Sequence, residues 1–299
     1  MLLFEGVARR SLYSRFCRSP RMTSHLLSPF RGASSLCVCI DQTGDVEMTT
    51  RTSWAPGDIC LSTSGQAPNG ALAATVYERV CRIDFSEPGF CLIELDSDAT
   101  SQSLRKFMVQ LKKDLQQNHR ARRGLDLAFR SLARFDQQST TKLHRDGGPD
   151  ECFLMLGYEP TEVRGTLAMA DYSLCAHDMG LTPAEMLAQY NPMFGRGQEL
   201  LRPYLTSVAC FSNRRFQILL INNSAAAYSE SEPAWQGVLH MARIENPDDQ
   251  HRRVVNSGMV ASVSLGTPDQ IAAADQEEFL TTSVVHRRGY ERTHLNDDV

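Results

Sequence analysis

Short runs of β-branched and aromatic residues, each closed by turn-forming residues, recur along most of this 299-residue sequence. Two of the runs precede residue 100 and the others follow residue 130: ATVYERVCRIDF, GFCLIELDS, LARFDQQSTTKLH, ECFLMLGYEP, GTLAMADYSLCA, SVACFS, RFQILLINN, QGVLHMARI and RRVVNSGMVASVSL. About eight or nine short strands, without a regular alternation of strands and helices, argue against a parallel sheet. They favour an antiparallel barrel or a jelly roll. We therefore expect a mainly β fold with flanking helices.

Helical periodicity interrupts the strand pattern at a few places. The run SQSLRKFMVQLKKDLQQ, from residue 101, places apolar residues on one side of a helix and basic residues opposite. Thr182, Pro183 and Glu185 form a capped helix start before the run PAEMLAQY. Further short helices are predicted at GQELLRPYL and at TPDQIAAADQEEFL.

Three parts of the chain are expected from these patterns. Residues 1–47 form a leader that is disordered or precedes the true start, residues 48–270 form the main domain, and residues 271–299 form a C-terminal helix and tail. The stretch 1–36 is rich in arginine and serine and poor in acids, as in organellar transit peptides.

Composition restricts the partners and the compartment. A net charge of −4 gives no electrostatic basis for binding nucleic acid, and no stretch approaches the ~20 apolar residues of a membrane-spanning helix. Nine scattered cysteines without a C-x-x-C pair favour a reducing compartment over a disulfide framework. We expect a cytoplasmic protein, or a mitochondrial one if residues 1–36 are a transit peptide. The oligomeric state stays open.

The motif His144-Arg145-Asp146 closes one β-favouring run and is followed by a turn, Gly147-Gly148-Pro149. In a strand, residues i and i+2 share a face, so the imidazole and the carboxylate point the same way. This pair suits a divalent metal of middling softness, but two ligands alone would hold it poorly.

A third ligand should therefore come from a distant part of the chain. The best candidate is His240, in the middle of the run QGVLHMARI, with His177 as the alternative. Two histidines and one carboxylate on one triangular face leave coordination positions open, which is diagnostic of non-haem Fe(II) oxygenases.

In these residues the chain resembles the Fe(II)/2-oxoglutarate-dependent dioxygenase superfamily. The resemblance covers roughly residues 130–262: H-x-D at His144 and Asp146, a distal histidine at His240, and an arginine at Arg253 in the run HRRVVNS. It implies a double-stranded β-helix, a jelly-roll or cupin-like fold, for the oxygenase domain. It also implies that His144, Asp146 and His240 are catalytic residues that bind Fe(II), with 2-oxoglutarate as cosubstrate and O₂ as oxidant.

Arg253 is the residue that the resemblance assigns to the far carboxylate of 2-oxoglutarate. A guanidinium is always charged and offers a planar fork, so it can bind a carboxylate bidentately. Arg252 is the alternative, because a shift of one residue exchanges the two faces of a strand. Arg253 is preferred because Val255 and Ser257 would then face inward, and Ser257 could donate a hydrogen bond to the same carboxylate.

The implied activity is hydroxylation of an unidentified small molecule or side chain, with release of succinate and CO₂. Specificity is expected to come from the segments 147–165 and 177–206. Two other functions stay open at this point. One is a cupin-like metal protein that does not use 2-oxoglutarate, and the other is a catalytically silent β-helix that acts as a binding module.

Overall fold

A computed structural model describes residues 53–63 and 67–287. The helices are α1 (Pro56–Ile59), α2 (Gly70–Val80), α3 (Ser101–Arg123), α4 (Tyr172–Asp178), α5 (Pro183–Gln189), α6 (Gly195–Leu201) and α7 (Ala273–Thr281), with a 3₁₀ turn at Arg202–Tyr204. The strands are β1 (Cys60–Ser62), β2 (Phe90–Glu94), β3 (Asp126–Asp136), β4 (Cys152–Tyr158), β5 (Gly165–Ala170), β6 (Leu205–Ser207), β7 (Gln217–Asn222), β8 (Leu239–Ile244), β9 (Val254–Val263) and β10 (His286–Arg287). The predicted leader, residues 1–47, lies outside the described residues.

The strands form two sheets in the described part of the chain. The larger sheet has the order β1-β2-β7-β4-β9-β3-β10 and the smaller one the order β6-β5-β8. Pairing is antiparallel except at the two margins of the larger sheet, where β1 pairs with β2 and β10 pairs with β3 in parallel. With about 31% helix and 26% strand, the fold is mixed α/β and contains more helix than the mainly β prediction.

Three apolar clusters hold these layers together. The first lies between helices α2 and α3 and one face of the larger sheet. The second joins the larger sheet to the smaller one, through residues such as Leu154 and Leu219 on one side and Leu167 and Ala242 on the other. The third packs the inserted helices α4 to α6 against Leu239 and its neighbours. The smaller sheet therefore lies between the larger sheet and the insertion.

The run ATVYERVCRIDF was predicted as a strand, and this prediction is wrong. Most of it forms helix α2, whose N-terminus is capped because the Asn69 side chain accepts a hydrogen bond from the Leu72 amide. Val76, Tyr77 and Val80 lie on the buried side of that helix, against α3 and the sheet. Packing of this apolar face outweighs the preference of valine and tyrosine for strands, which is weak by comparison.

The run GTLAMADYSLCA was also predicted as one strand, but β5 ends at Ala170 and α4 begins at Tyr172. Between them, Asp171 caps α4 by accepting from the Leu174 amide and forms a buried ion pair of 2.6 Å with Arg82. The run before His144 was predicted as strand up to that residue, whereas β3 ends at Asp136. By contrast, the capped start of α5 is confirmed.

The predicted last helix is α7, and it packs onto the main body of the described residues. Phe279 is buried in the cluster that also contains α3, and Arg105 of α3 donates to the carbonyls of Leu280 and Thr282 at 3.2 and 3.1 Å. None of the helices in the described ranges is both long and apolar enough to cross a membrane.

Candidate metal centre

The segment that carries His144 runs alongside β8 and ends in a single antiparallel bridge. The His144 amide donates to the His240 carbonyl at 3.1 Å, and the His240 amide donates back at 3.0 Å. Three residues before His144, the Thr141 amide donates to the Ala242 carbonyl at 2.8 Å. This short pairing fixes the register that places the two histidines opposite one another.

The structure brings together the three side chains that the sequence singled out as metal ligands. One ligand atom from each of His144, Asp146 and His240 lies within 4.8 Å of the other two. His144 Nε2 is 3.4 Å from Asp146 Oδ1, and the centroids of the two imidazole rings are 4.2 Å apart. The alternative ligand His177 instead contacts the rings of Phe85 and Tyr228, at centroid distances of 5.2 and 4.9 Å.

Hydrogen bonding at His144 suits a metal ligand. Its Nδ1 lies 2.7 Å from the Lys142 carbonyl oxygen, so Nδ1 carries a proton and donates, and Nε2 is the atom that faces Asp146 and would bind a metal. Ligating histidines usually donate their second nitrogen in this way, because that bond fixes the tautomer and the ring orientation.

His240 is buried, and its Nδ1 atom has no hydrogen-bond partner among the described residues. Burial, aided by the neighbouring His144, lowers the pKa of His240 to about 4, so the ring is neutral at pH 7 as metal binding requires. Burial also lowers the pKa of His144, but the Asp146 side chain and the Lys142 carbonyl outweigh it and raise the pKa overall. An imidazole nitrogen without a hydrogen-bond partner, close to a carboxylate and a second imidazole, is a donor set that suits a divalent cation.

The three groups lie on the wall of a cavity of about 390 Å³ between the two sheets. Its wall also includes Phe135, Asp136, Gln137, Gln138, Ser139, Thr141, Leu156, Tyr158, Leu167, Met169, Met193, Leu219, Met241, Ala242, Val255 and Ser257. A cavity lined by apolar side chains with a few convergent polar groups has the usual make-up of a small-molecule site.

Arg253 is 1% exposed and is not itself one of the lining residues, but it contacts two of them, Gln137 and Tyr158. Its Cζ atom is 4.8 Å from the ring centroid of Tyr158, and its Nη1 donates to Gln137 Oε1. Its Nε and Nη2 atoms have no hydrogen-bond partner, and no carboxylate of the described residues forms an ion pair with it. Burial lowers the pKa of the guanidinium. A buried cation of this kind is costly without an anionic partner.

The neighbours of Arg253 distinguish the two registers considered for this strand. Arg252 is exposed, whereas Val255 and Ser257 line the cavity. Asn256 is directed to the other side of the sheet, where its amide donates to Glu159 at 2.9 Å. Ser257 therefore lines the cavity, as the preferred register requires, whereas Arg253 lies behind the lining residues Gln137 and Tyr158.

Sequence reasoning missed Gln137, whose side chain is hydrogen-bonded to Arg253, and Met193, which reaches the cavity from the helical insertion. A polar residue just beyond a strand carries no signature of such a role. Met193 falls inside the segment 177–206 that was expected to set specificity.

No family model matches this sequence, and comparison with curated proteins gives no significant match.

Proposed function

We propose that this protein is an Fe(II)- and 2-oxoglutarate-dependent oxygenase with a double-stranded β-helix, or jelly-roll, domain. The path of the chain supports the fold, because from β3 onward it passes repeatedly between the two sheets. β3, β4, β7 and β9 belong to the larger sheet, β5, β6 and β8 form the smaller one, and the isolated His144 bridge pairs with β8. Counted in chain order from β3, four strands of the larger sheet alternate with the bridge and the three strands of the smaller sheet, an order that is typical of a jelly roll.

His144, Asp146 and His240 would hold the Fe(II) ion. Two imidazoles and one carboxylate leave coordination positions for a bidentate ligand and for O₂. Bound Fe(II) supplies the redox chemistry that couples O₂ reduction to decarboxylation of 2-oxoglutarate and hydroxylation of a substrate. The cavity walls exclude bulk water from these groups and orient the two organic molecules.

Arg253 would bind the far carboxylate of 2-oxoglutarate, and Ser257 would donate its hydroxyl to the same group. This arginine is the observation that carries the proposal. It is a buried guanidinium with two nitrogen donors that lack a partner among the described residues, and it contacts Gln137 and Tyr158 in the wall of the cavity that also holds a His/Asp/His cluster. A dianionic cosubstrate would neutralise that charge and satisfy both donors.

The second substrate is a small molecule or a single side chain, because the cavity of about 390 Å³ also has to contain 2-oxoglutarate. Met193 and Met241 on its wall offer adaptable apolar contact, since methionine side chains adjust to irregular shapes.

The decisive experiment adds Fe(II) and 2-oxoglutarate to the protein without oxygen and records the visible charge-transfer band of the chelate. Oxygen is then admitted, and succinate is measured. We expect a band and uncoupled succinate formation, both of which are lost in Arg253→Ala and retained in Arg252→Ala.

Three other results would contradict parts of this proposal. A metal-loaded protein without a band or succinate would indicate a cupin-like metal protein that does not use 2-oxoglutarate. A protein that binds no metal would indicate a silent binding module. A band that survives Arg253→Ala but disappears in Arg252→Ala would show that the wrong arginine was chosen.

A further inference from the structure

Asp146 lies outside regular secondary structure, although it belongs to the candidate metal centre. The bridge to β8 ends at His144, and β4 begins only at Cys152. His144 and His240 are fixed to each other by two backbone hydrogen bonds. The carboxylate ligand needs another source of rigidity, because loops are more mobile than the elements they connect.

The side chain of Asn223 supplies a specific contact to this loop. Asn223 directly follows β7 and is 0% exposed. Its Oδ1 accepts a hydrogen bond from the Asp146 amide at 3.0 Å, and its Nδ2 donates to the Asp146 carbonyl at 2.9 Å. The buried side-chain amide of Asn223 therefore holds both the backbone N–H and the backbone carbonyl of Asp146.

The backbone of Asn223 is itself firmly held. Its amide donates to the Cys152 carbonyl at 2.9 Å, and its carbonyl accepts from Arg145 Nε at 2.9 Å. Arg145 also donates from Nη2 to the Gly148 carbonyl at 2.9 Å, which closes the loop beyond Asp146. The position of Asp146 is thus tied to the end of a buried strand of the larger sheet, while the two histidines belong to the edge of the smaller one.

We propose that Asn223 is a positioning residue for the metal ligand Asp146. It acts through the Asp146 backbone and does not contact the metal. The inference rests on the metal centre of the proposed function, but not on the use of 2-oxoglutarate. Partners that orient a metal ligand typically contribute about 10- to 100-fold in metal affinity, and this is the loss that we expect when Asn223 is replaced.

The test measures binding of Co(II) alone to the apoprotein, by calorimetry and by the visible spectrum of the bound ion. Asn223→Ala is compared with Asn222→Ala, which is a matched control. Asn222 is also 0% exposed, and its side chain also forms two hydrogen bonds, with the Val80 carbonyl at 2.8 Å and the Ser224 amide at 3.1 Å. Neither of these bonds touches Asp146.

We expect Asn223→Ala to weaken Co(II) binding by about 10- to 100-fold, and Asn222→Ala by less than about threefold, even where both lower thermal stability. Hydrogen exchange gives a second readout that needs no metal. The Asp146 amide should be protected in the wild type and in Asn222→Ala, and should exchange rapidly in Asn223→Ala. If the alanine variant does not fold, the pair Asn223→Leu and Asn222→Leu, which fills the space without hydrogen bonds, replaces it.

Equal affinities of the Asn223 and Asn222 variants, or an Asp146 amide that stays protected without Asn223, would overturn the inference. A wild-type protein that takes up no Co(II) would overturn both this inference and the proposed metal centre. A wild-type protein that binds Co(II) but forms no succinate with Fe(II) would contradict only the proposed oxygenase activity, and the Co(II) titration would still decide the role of Asn223.

Discussion

Replacing Arg253 with methionine is expected to stabilise the protein in the absence of 2-oxoglutarate and to abolish its stabilisation by that ligand. In the wild type the guanidinium is 1% exposed, and its Nε and Nη2 have no hydrogen-bond partner in the part of the chain that the structure describes. Each buried donor left unsatisfied costs about 1–3 kcal/mol, and the unbranched methionine side chain fills similar space without that cost.

The replacement also removes favourable contacts. The hydrogen bond to Gln137 and the ring contacts with Tyr158 and Phe211, at 4.8 and 5.6 Å, are lost. A hydrogen bond from a charged group contributes about 1.5–3 kcal/mol, and a desolvated cation–π contact about 1–2 kcal/mol. These losses roughly cancel the gain at the two unsatisfied donors, so the cost of burying the unpaired charge, which is several kcal/mol per ion, decides the sign. We therefore expect the variant to be more stable by about 1–2 kcal/mol, within the range for replacing buried charges by apolar groups. For a domain of this size, that corresponds to a rise of roughly 2–8 °C in Tm.

The assay is thermal unfolding with Co(II) present, with and without saturating 2-oxoglutarate. A ligand at about 100 times its Kd stabilises the native state by about 2.7 kcal/mol. The wild type should show this increase and Arg253→Met should not, so the order of the two Tm values reverses when the ligand is added. Arg252→Met is the control. Because Arg252 is exposed, its loss should change stability by less than about 0.5 kcal/mol and leave the ligand effect intact.

Two outcomes would refute this reasoning. If Arg253→Met is less stable than the wild type without ligand, the guanidinium is already compensated in the apoprotein and does not await an anion. If 2-oxoglutarate stabilises Arg253→Met as much as the wild type, the cosubstrate does not bind there.

Three further predictions concern other parts of the described structure. Burial lowers the pKa of His119 from 6.5 to about 4. As the pH falls from 6.5 to 4, His119 is protonated in the unfolded chain but not in the folded protein, so the free energy of unfolding decreases. The decrease amounts to at most about 3 kcal/mol and should be absent from His119→Gln. Denaturant unfolding at several pH values measures it, and an equal dependence of the free energy of unfolding on pH in both proteins would contradict the prediction. His240→Ala should abolish Co(II) binding, whereas His177→Ala should leave it unchanged; the reverse result in a titration would mean that the wrong third ligand was chosen. Gly237→Ala should destabilise the protein by about 1–3 kcal/mol in urea unfolding, because an added Cβ would overlap the Ser224 carbonyl; an unchanged midpoint would refute this close approach.

The candidate metal ligands could be singled out from the sequence because their relation is local or periodic. His144 and Asp146 point the same way in any extended segment. Their proximity therefore does not require β3 to reach them, although β3 ends at Asp136. His240 was chosen from the middle of a short apolar run, and such runs form buried strands. In the structure His240 is buried on β8 and forms the bridge with His144.

Other features depend on partners that are distant in sequence. Helix α2 was mistaken for a strand because the surface that stabilises it belongs to α3 and the larger sheet. Asn223 could not be recognised either, because a polar residue after a buried strand acquires its role only when the loop of Asp146 folds against it. Local patterns thus predicted which three side chains come together, while the contacts that orient them required the tertiary structure.

The parallel pairing of β10 with β3 has a consequence for where this chain can be cut. Strand β3 is the outermost long strand of the larger sheet in the described residues, and β10 covers it only at Phe135 and Asp136. Nearer its start, Asp269 and Gln270 engage the Phe129 amide and carbonyl at 2.7 and 2.8 Å. A protein truncated at residue 265 would present these backbone groups as an open template for a neighbouring molecule, and we expect it to aggregate through that edge.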